Sequence, residues 1–292
     1  MVTILDGRKT SAEIKEELKR ETESLAGKGI VPGITGILVG EDPGSASYVR
    51  LKEKAANQLG IRAAMLKLAE NVSEADVLKE VDRLNQDKNV HGIFIQLPMP
   101  GHIDENRVLN AVAPDKDVDG FHPSNVGRAW LGQSAFLPAT PIGIHEILVR
   151  YGYANLKGKS VVIVNVDNLV GKPLASLWAQ EAVGANVTLC HPNAPDLANY
   201  TRGADIVVVA VDKARFITAD MVKEGVIAID FGANYIKDPS DDKEKLVGDL
   251  DFDAIKEKAE AITPVPGGIG PMTVTMLMHS TVRAAKLAGG LQ

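Results

Sequence analysis

Two hydrophobic periods alternate along the chain. Ile14, Leu18 and Leu25 recur at helical spacing and predict a helix running to about Ala26, with Thr10-Ser11-Ala12-Glu13 as a capping box at its start. Ile34 to Val39 is a short continuous apolar run between glycine and proline, the pattern of a buried strand. The step repeats with a helix through Tyr48 and Lys52, a strand Arg62 to Leu68, a helix Ser73 to Gln86, a strand Gly92 to Gln96 and a short helix from about Glu105 to Val112. Thr140-Pro141 reads as a helix start, threonine as cap and proline at the first helical position. Ile144, Ile147, Leu148 and Tyr151 then form one apolar face of a helix expected to bridge two domains. Beyond Gly158 come strands Ser160 to Asn165, Asn186 to Cys190, Asp205 to Val211 and Val226 to Asp230, with a helix starting near Pro173 and a last apolar helix ending at about Ala288. Apolar strands alternating with helices predict an α/β fold with parallel sheets covered on both faces, the second run being doubly wound.

Composition narrows the setting. With 292 residues, 45% of them hydrophobic, the chain is long enough for about two domains. A single cysteine, Cys190, excludes an internal disulfide. No apolar run is long enough to span a bilayer, and the N-terminus MVTILDGRKT lacks a signal-peptide core. These features predict a cytoplasmic protein with no membrane partner. A formal net charge of -6 without a dense Lys/Arg cluster predicts no nucleic-acid partner. The six histidines are scattered without ligand spacing, so no metal is predicted.

The candidate chemistry begins with Tyr48 and Lys52. Positions i and i+4 share a helix face, so both side chains can enter one cleft. Alone, a lysine flanked by Arg50, Glu53 and Lys54 reads as a solvated charge. Gln96, followed by Leu97 and Pro98, closes a predicted parallel strand, and ligands of open α/β sheets sit at the carboxyl ends of the strands. The stretch PDKDVDGFHPSNVGR reads as a loop, in which Asp115 and Asp117 make turns and Asp119 is left for a ligand. Calcium-loop spacing is absent from it. The segment NVDNLVGKP keeps only Gly171 of the dinucleotide-binding glycines and supports nothing alone. In ITPVPGGIGPMT, glycines and prolines let the backbone approach a ligand closely ahead of a helix.

Six segments in order, YVRLK, QLPMP, PDKDVDGFHPSNVGR, PATPIG, VGKP and TPVPGGIGPMT, resemble the methylenetetrahydrofolate dehydrogenase/methenyltetrahydrofolate cyclohydrolase family over nearly the whole chain. The resemblance implies a folate-binding catalytic domain over 1–139, completed by the C-terminal helix 271–292, and a Rossmann-like dinucleotide-binding domain over 140–270. It also implies an active site in the cleft between them, usually in a homodimer. Oxidation of 5,10-methylenetetrahydrofolate with a nicotinamide cofactor and hydrolysis of the methenyl product to 10-formyltetrahydrofolate are the activities expected from it. Lys52 matches the family's catalytic lysine, Gln96 the residue that orients it, Tyr48 a group bordering the folate ring, and Asp119 the pterin-binding carboxylate. Leu97, Pro98, Pro264, Pro266, Gly267 and Gly268 would line the substrate site. Asn165, Val166, Asp167, Val170, Gly171, His191, Pro192 and Ala233 would face the dinucleotide.

The cofactor half departs from the family's pattern. Asn165-Val166-Asp167 stands where Gly-Arg-Ser is usual, Pro192 replaces a serine, Asp212 a glycine and Ala214 a proline. Loss of the cation that holds a 2′-phosphate, with a carboxylate nearby, favours NAD over NADP, the family's commoner cofactor. The same changes allow a cyclohydrolase-dominant enzyme with weakened or lost dinucleotide binding. A non-catalytic folate-binding homologue would require a damaged set, whereas Tyr48, Lys52, Gln96 and Asp119 are all present. Ala139, where a cysteine is usual, leaves the helix start intact.

Overall fold

The computed structural model describes residues 1–40, 43–237 and 244–291, and the side chains of residues 43–48 lie outside that description. The elements in chain order are β1 (Thr3–Ile4), α1 (Gly7–Ala26), β2 (Gly33–Val39), α2 (Pro43–Gln58), β3 (Arg62–Leu68), α3 (Glu74–Gln86), β4 (Gly92–Ile95) and α4 (Glu105–Ala111). They continue with α5 (Pro123–Trp130), α6 (Ala139–Arg150), β5 (Ser160–Val164), α7 (Gly171–Trp178), β6 (Asn186–Cys190), α8 (Leu197–Thr201) and β7 (Ile206–Val209). Last come β8 (Ile227–Asp230), β9 (Asn234–Lys237), β10 (Glu244–Val247), α9 (Phe252–Lys256), β11 (Ala261–Ile262) and α10 (Gly270–Ala288).

The chain forms two compact units. One comprises Ala12–Ala129, Gln133–Ala139 and Val274–Gln292. Its sheet runs β3-β2-β4, with both pairings parallel. Every residue of β2 is buried, which is why that strand reads as an unbroken apolar run. Ile37, Val39, Ile93 and Ile95 pack against Val77, Val81 and Leu84 of α3 and Val108 of α4. Ser73 caps α3 by accepting the Asp76 N–H.

The other unit comprises Met1–Ser11, Trp130–Gly132 and Thr140–Thr273. Its six-stranded sheet runs β1-β11-β8-β7-β5-β6, parallel at every pairing. Alternate residues of each strand enter different cores: Val161, Ile163, Ile206 and Val208 join Ile147, Leu174 and Trp178. Val162, Val164, Val207 and Val209 join Leu197 and Ile255. Strand order reverses at β5, since β6 lies on one side of it and β7 on the other. The carboxyl ends of β5 and β7 therefore flank a topological switch point, where doubly wound sheets bind ligands.

Several local expectations are corrected. The first helix starts at Gly7, not at Thr10-Ser11. Asp6 is its cap, accepting the Lys9 N–H at 3.0 Å, while Thr10 Oγ1 donates back to the Asp6 carbonyl from within the helix. The loop expected through Arg128 contains α5, because Pro123 pre-sets the helical φ and the His122 ring accepts the Ser124 N–H. The next helix begins at Ala139, so Thr140 and Pro141 lie inside its first turn. The N-terminal residues belong to the six-stranded sheet, since Thr3 and Ile4 pair with Ala261 and Ile262. The antiparallel pair β9–β10 and the short strands β1 and β11 have no counterpart in the hydrophobic pattern read above. Among the described residues no helix is long and apolar enough to cross a membrane.

Candidate active site

Strand alternation places Phe94 and Gln96 on one side of the chain at the end of β4. Gln96 follows the last strand residue and donates its backbone N–H to Ile37 at 2.9 Å, which fixes its Cα against β2. Its side-chain amide donates to the Leu97 carbonyl at 2.9 Å, leaving Oε1 to accept from Lys52 Nζ at 3.4 Å. Lys52 reaches it from α2 and lies 4.0 Å above the Phe94 ring centroid. The ring has room because its neighbour across the sheet is Gly36, where any Cβ would collide with Phe94. Burial lowers the Lys52 pKa, and the charge of Asp119 partly opposes this. The lysine is thus held nearer its neutral form than a surface lysine would be.

Asp119 is delivered by its own turn. Ile93 donates its N–H to the Lys116 carbonyl and forms a parallel bridge with Asp117, so the chain runs beside β4 towards its carboxyl end. Asp117 is buried and consumed by structure, accepting the N–H groups of Phe121 and His122 and the amide of Asn125. Asp119, by contrast, accepts no hydrogen bond among the described residues. Desolvation raises its carboxyl to about 6, against the attraction of Lys52 and with help from the Asp117 charge.

In the six-stranded unit, the loop after β5 is locked by its own side chains. Asn165 Oδ1 accepts the N–H groups of Asp167 and Gly171, and its Nδ2 donates to Asp167 and to the Ala210 carbonyl beyond β7. Asp167 Oδ1 accepts the N–H groups of Leu169 and Val170 at 2.9 and 2.7 Å. The carboxylate expected to meet a ribose is therefore already engaged in closing the loop ahead of α7, although it remains exposed. His191 Nδ1 closes its own turn by accepting the Asn193 N–H, and the Ala233 N–H goes to Asp212 at 3.3 Å.

The glycine-rich loop lies in the same unit. Gly7 and Arg8, the first residues of α1, donate their N–H groups to the Gly267 carbonyl at 2.9 and 3.2 Å, satisfying two donors that a helix start leaves open. Gly267 adopts φ +115°, a region that disfavours side chains. Pro264, Pro266, Gly267 and Gly268 line a cavity of about 200 Å³ together with Phe231, Ala233 and Arg8. It opens at the carboxyl ends of β8 and β11.

Lys52, Gln96, Leu97 and Asp119 thus come together in one unit, and Pro264, Pro266, Gly267, Gly268 and Ala233 in the other. The Tyr48 side chain lies outside the described residues. Pro98 is exposed beside Leu97, and the Leu97–Pro98 and Val265–Pro266 bonds are cis. Phe94, Gly36 and Gly7 carry weight that the sequence reading missed. The signal for Phe94 was its two-residue spacing from Gln96. Gly36 and Gly7 left no local signal, because their neighbours are remote in the chain. Among the described residues no group of three His, Cys, Asp or Glu could hold a metal ion.

Comparison with known proteins gives one family across the chain. Residues 5–119 match the tetrahydrofolate dehydrogenase/cyclohydrolase catalytic domain, and residues 138–289 its NAD(P)-binding domain. The bifunctional protein FolD of Syntrophus aciditrophicus is 50% identical over 290 residues, 99% of each chain. The bifunctional methylenetetrahydrofolate dehydrogenase/cyclohydrolase structure from Campylobacter jejuni superposes with a TM-score of 0.93 at 44% identity, covering 98% of this chain and 99% of that one. The Trypanosoma brucei enzyme, solved with NADP cofactor and an inhibitor, gives 0.90 at 37% identity, covering 99% and 98%.

Proposed function

The chain belongs to the tetrahydrofolate dehydrogenase/cyclohydrolase family, and from that premise we propose how its own residues divide the two reactions. The enzyme oxidises 5,10-methylenetetrahydrofolate to the 5,10-methenyl cation and hydrolyses that cation to 10-formyltetrahydrofolate. The observation that carries the assignment of residues is the desolvated Lys52 bonded to Gln96 beside Asp119. In the hydrolysis, water adds to the one-carbon bridge, a C–O bond forms, the bond to N5 breaks and one proton is released. Lys52, neutral when the water attacks, takes that proton, and Gln96 holds its Nζ on the attacking side. Asp119 binds the pterin: an ionised carboxylate accepts two hydrogen bonds from an amide-like ring edge. Tyr48, Leu97 and Pro98 border the ring, and Pro264, Pro266, Gly267 and Gly268 offer backbone groups to the substrate.

A bound nicotinamide dinucleotide supplies the hydride acceptor for the oxidation. The doubly wound sheet, its switch point at β5 and β7 and the cavity beside Ala233 fit such a group. Asn165, Val166, Val170 and Gly171 would hold it on one side, with His191 and Pro192 following β6. NAD is the preferred form in this reading. The support is the exposed Asp167 carboxylate, which would repel a 2′-phosphate even while its Oδ1 accepts the N–H groups of Leu169 and Val170 ahead of α7. A homodimer acting in the cytoplasm completes the proposal, and light scattering of the purified protein reads the subunit count.

The deciding experiment follows methenyl formation from 5,10-methylenetetrahydrofolate with NAD and then NADP, and separately the decay of methenyltetrahydrofolate without either. Lys52→Met is expected to lose ring opening by about 10²-fold or more, the scale of a general base, while remaining folded. Retained ring opening in that variant would remove Lys52 from the mechanism.

A further inference from the structure

Beyond the residues facing ligands, we infer that Asp249 is the positioning residue for the dinucleotide site, holding the loop after β7 in its binding shape from beneath. Asp249 is fully buried, and its two oxygens accept four hydrogen bonds. The N–H groups of Val211, Asp212 and Lys213 donate to it at 2.6, 3.1 and 2.8 Å, and Asn234 Nδ2 at 2.9 Å. Successive N–H groups converging on one point form an anion-binding nest. Here the protein fills the nest with its own carboxylate.

The loop needs this anchor because it departs from ordinary backbone geometry. Asp212 has φ 51° and Arg215 φ 54°, a left-handed region that side-chain-bearing residues enter at a cost and only where the surroundings fix them. Asp212 occupies a position where glycine is usual in the family, so its conformation cannot be ascribed to glycine. Asp249 is itself fixed: its N–H, with those of Leu250 and Gly232, donates to the buried Asp230. A Cβ on Gly232 would collide with Asp249, and one on Gly248 with Asp230, so both carboxylates sit in spaces that glycine keeps clear. From the loop the order passes on, through Asp212 to the Ala233 N–H and through the Ala210 carbonyl to Asn165. Removing Asp249 releases the loop at the switch point and loosens both neighbours that face the dinucleotide.

The inference rests on the dinucleotide reading of this unit, and the two reactions of one enzyme provide the control. Asp249→Asn keeps the shape but puts an amide against the converging N–H donors. The dinucleotide KM is expected to rise tenfold or more, with kcat at saturation within about threefold and ring opening of methenyltetrahydrofolate within twofold. An unchanged KM in the folded variant, or an equal fall in both activities, overturns the role. Should Asp249→Asn not fold, Asn234→Ala decides: it removes one of the four donors, and a KM raised about threefold supports the role whereas an unchanged KM overturns it. A parent enzyme that reduces neither NAD nor NADP would instead overturn the dinucleotide reading itself.

Discussion

Asp119 shows what burying a single carboxyl does to stability. Burial raises its carboxyl to about 6 from an ordinary 3.8. Between those values the folded chain holds the proton more tightly than the unfolded chain does, so stability falls as pH rises through the window. Above it the ionised carboxylate is a standing penalty. Asp119→Asn should therefore raise folding stability at pH 7.5 by about 1–2 kcal/mol, solvent access included, while folate binding is lost. The gain should vanish near pH 4, where the parent carboxyl is protonated too. Denaturant melts at the two pH values check this, and an equal gain at both would mean that charge is not the cause. Phe94 acts on the other member of the pair. Its ring face favours protonated Lys52 by about 0.5–2 kcal/mol, so Phe94→Leu should move the midpoint of the ring-opening pH profile downwards by about 0.4–1.5 units. An upward shift would show that the ring acts mainly by excluding water. Lys52, Gln96 and Asp119 could be singled out in the sequence because each sits in a segment that resembles the family's; by its neighbours alone Lys52 reads as a solvated charge. Tertiary neighbours such as Gly36 write nothing into the local sequence.

Helix α1 carries the lesson at the scale of an element. Its apolar spacing was readable, but its start was not, because the capping box at Thr10 competed with Asp6 and the structure uses Asp6. The consequence reaches function, since the true first turn donates to Gly267 and so seats the glycine-rich loop. A Cβ on Gly7 would collide with the Gly268 carbonyl, so Gly7→Ala forces a side chain against backbone. Such overpacking costs about 1–3 kcal/mol. Gly7→Ala should show that loss in a denaturant melt, together with a raised folate KM, because the displaced loop is the one proposed to meet the substrate through Pro264 to Gly268. A stability within about 0.5 kcal/mol of the parent would mean the loop yields freely. The loop's glycines and prolines announced it in the sequence; the helix it leans on, some 260 positions away, could not be announced there.

Over the whole molecule, the wholly buried strands β2, β4, β7 and β8 made the α/β order legible. The two-residue strands β1 and β11 were not, since a strand that short exists only through its partners. Charge is the property that the whole chain and the dinucleotide site share. The chain carries a formal -6, and Asp167, Asp212, Asp230 and Asp249 all stand at the carboxyl edge of the six-stranded sheet. A 2′-phosphate adds a charge of about -1.5 to -2 to the cofactor. Repulsion between that charge and a carboxylate edge is screened by salt, with a Debye length falling from about 30 Å at 0.01 M to about 8 Å at 0.15 M. The ratio of kcat/KM for NAD over NADP should accordingly be largest at low ionic strength and narrow severalfold across that range. Val166→Arg with Asp167→Ser restores a cation and removes one carboxylate, so it should shift the ratio towards NADP and flatten its salt dependence. A parent ratio indifferent to salt would place cofactor choice in shape and hydrogen bonding instead of charge, and would move the selector away from Asp167.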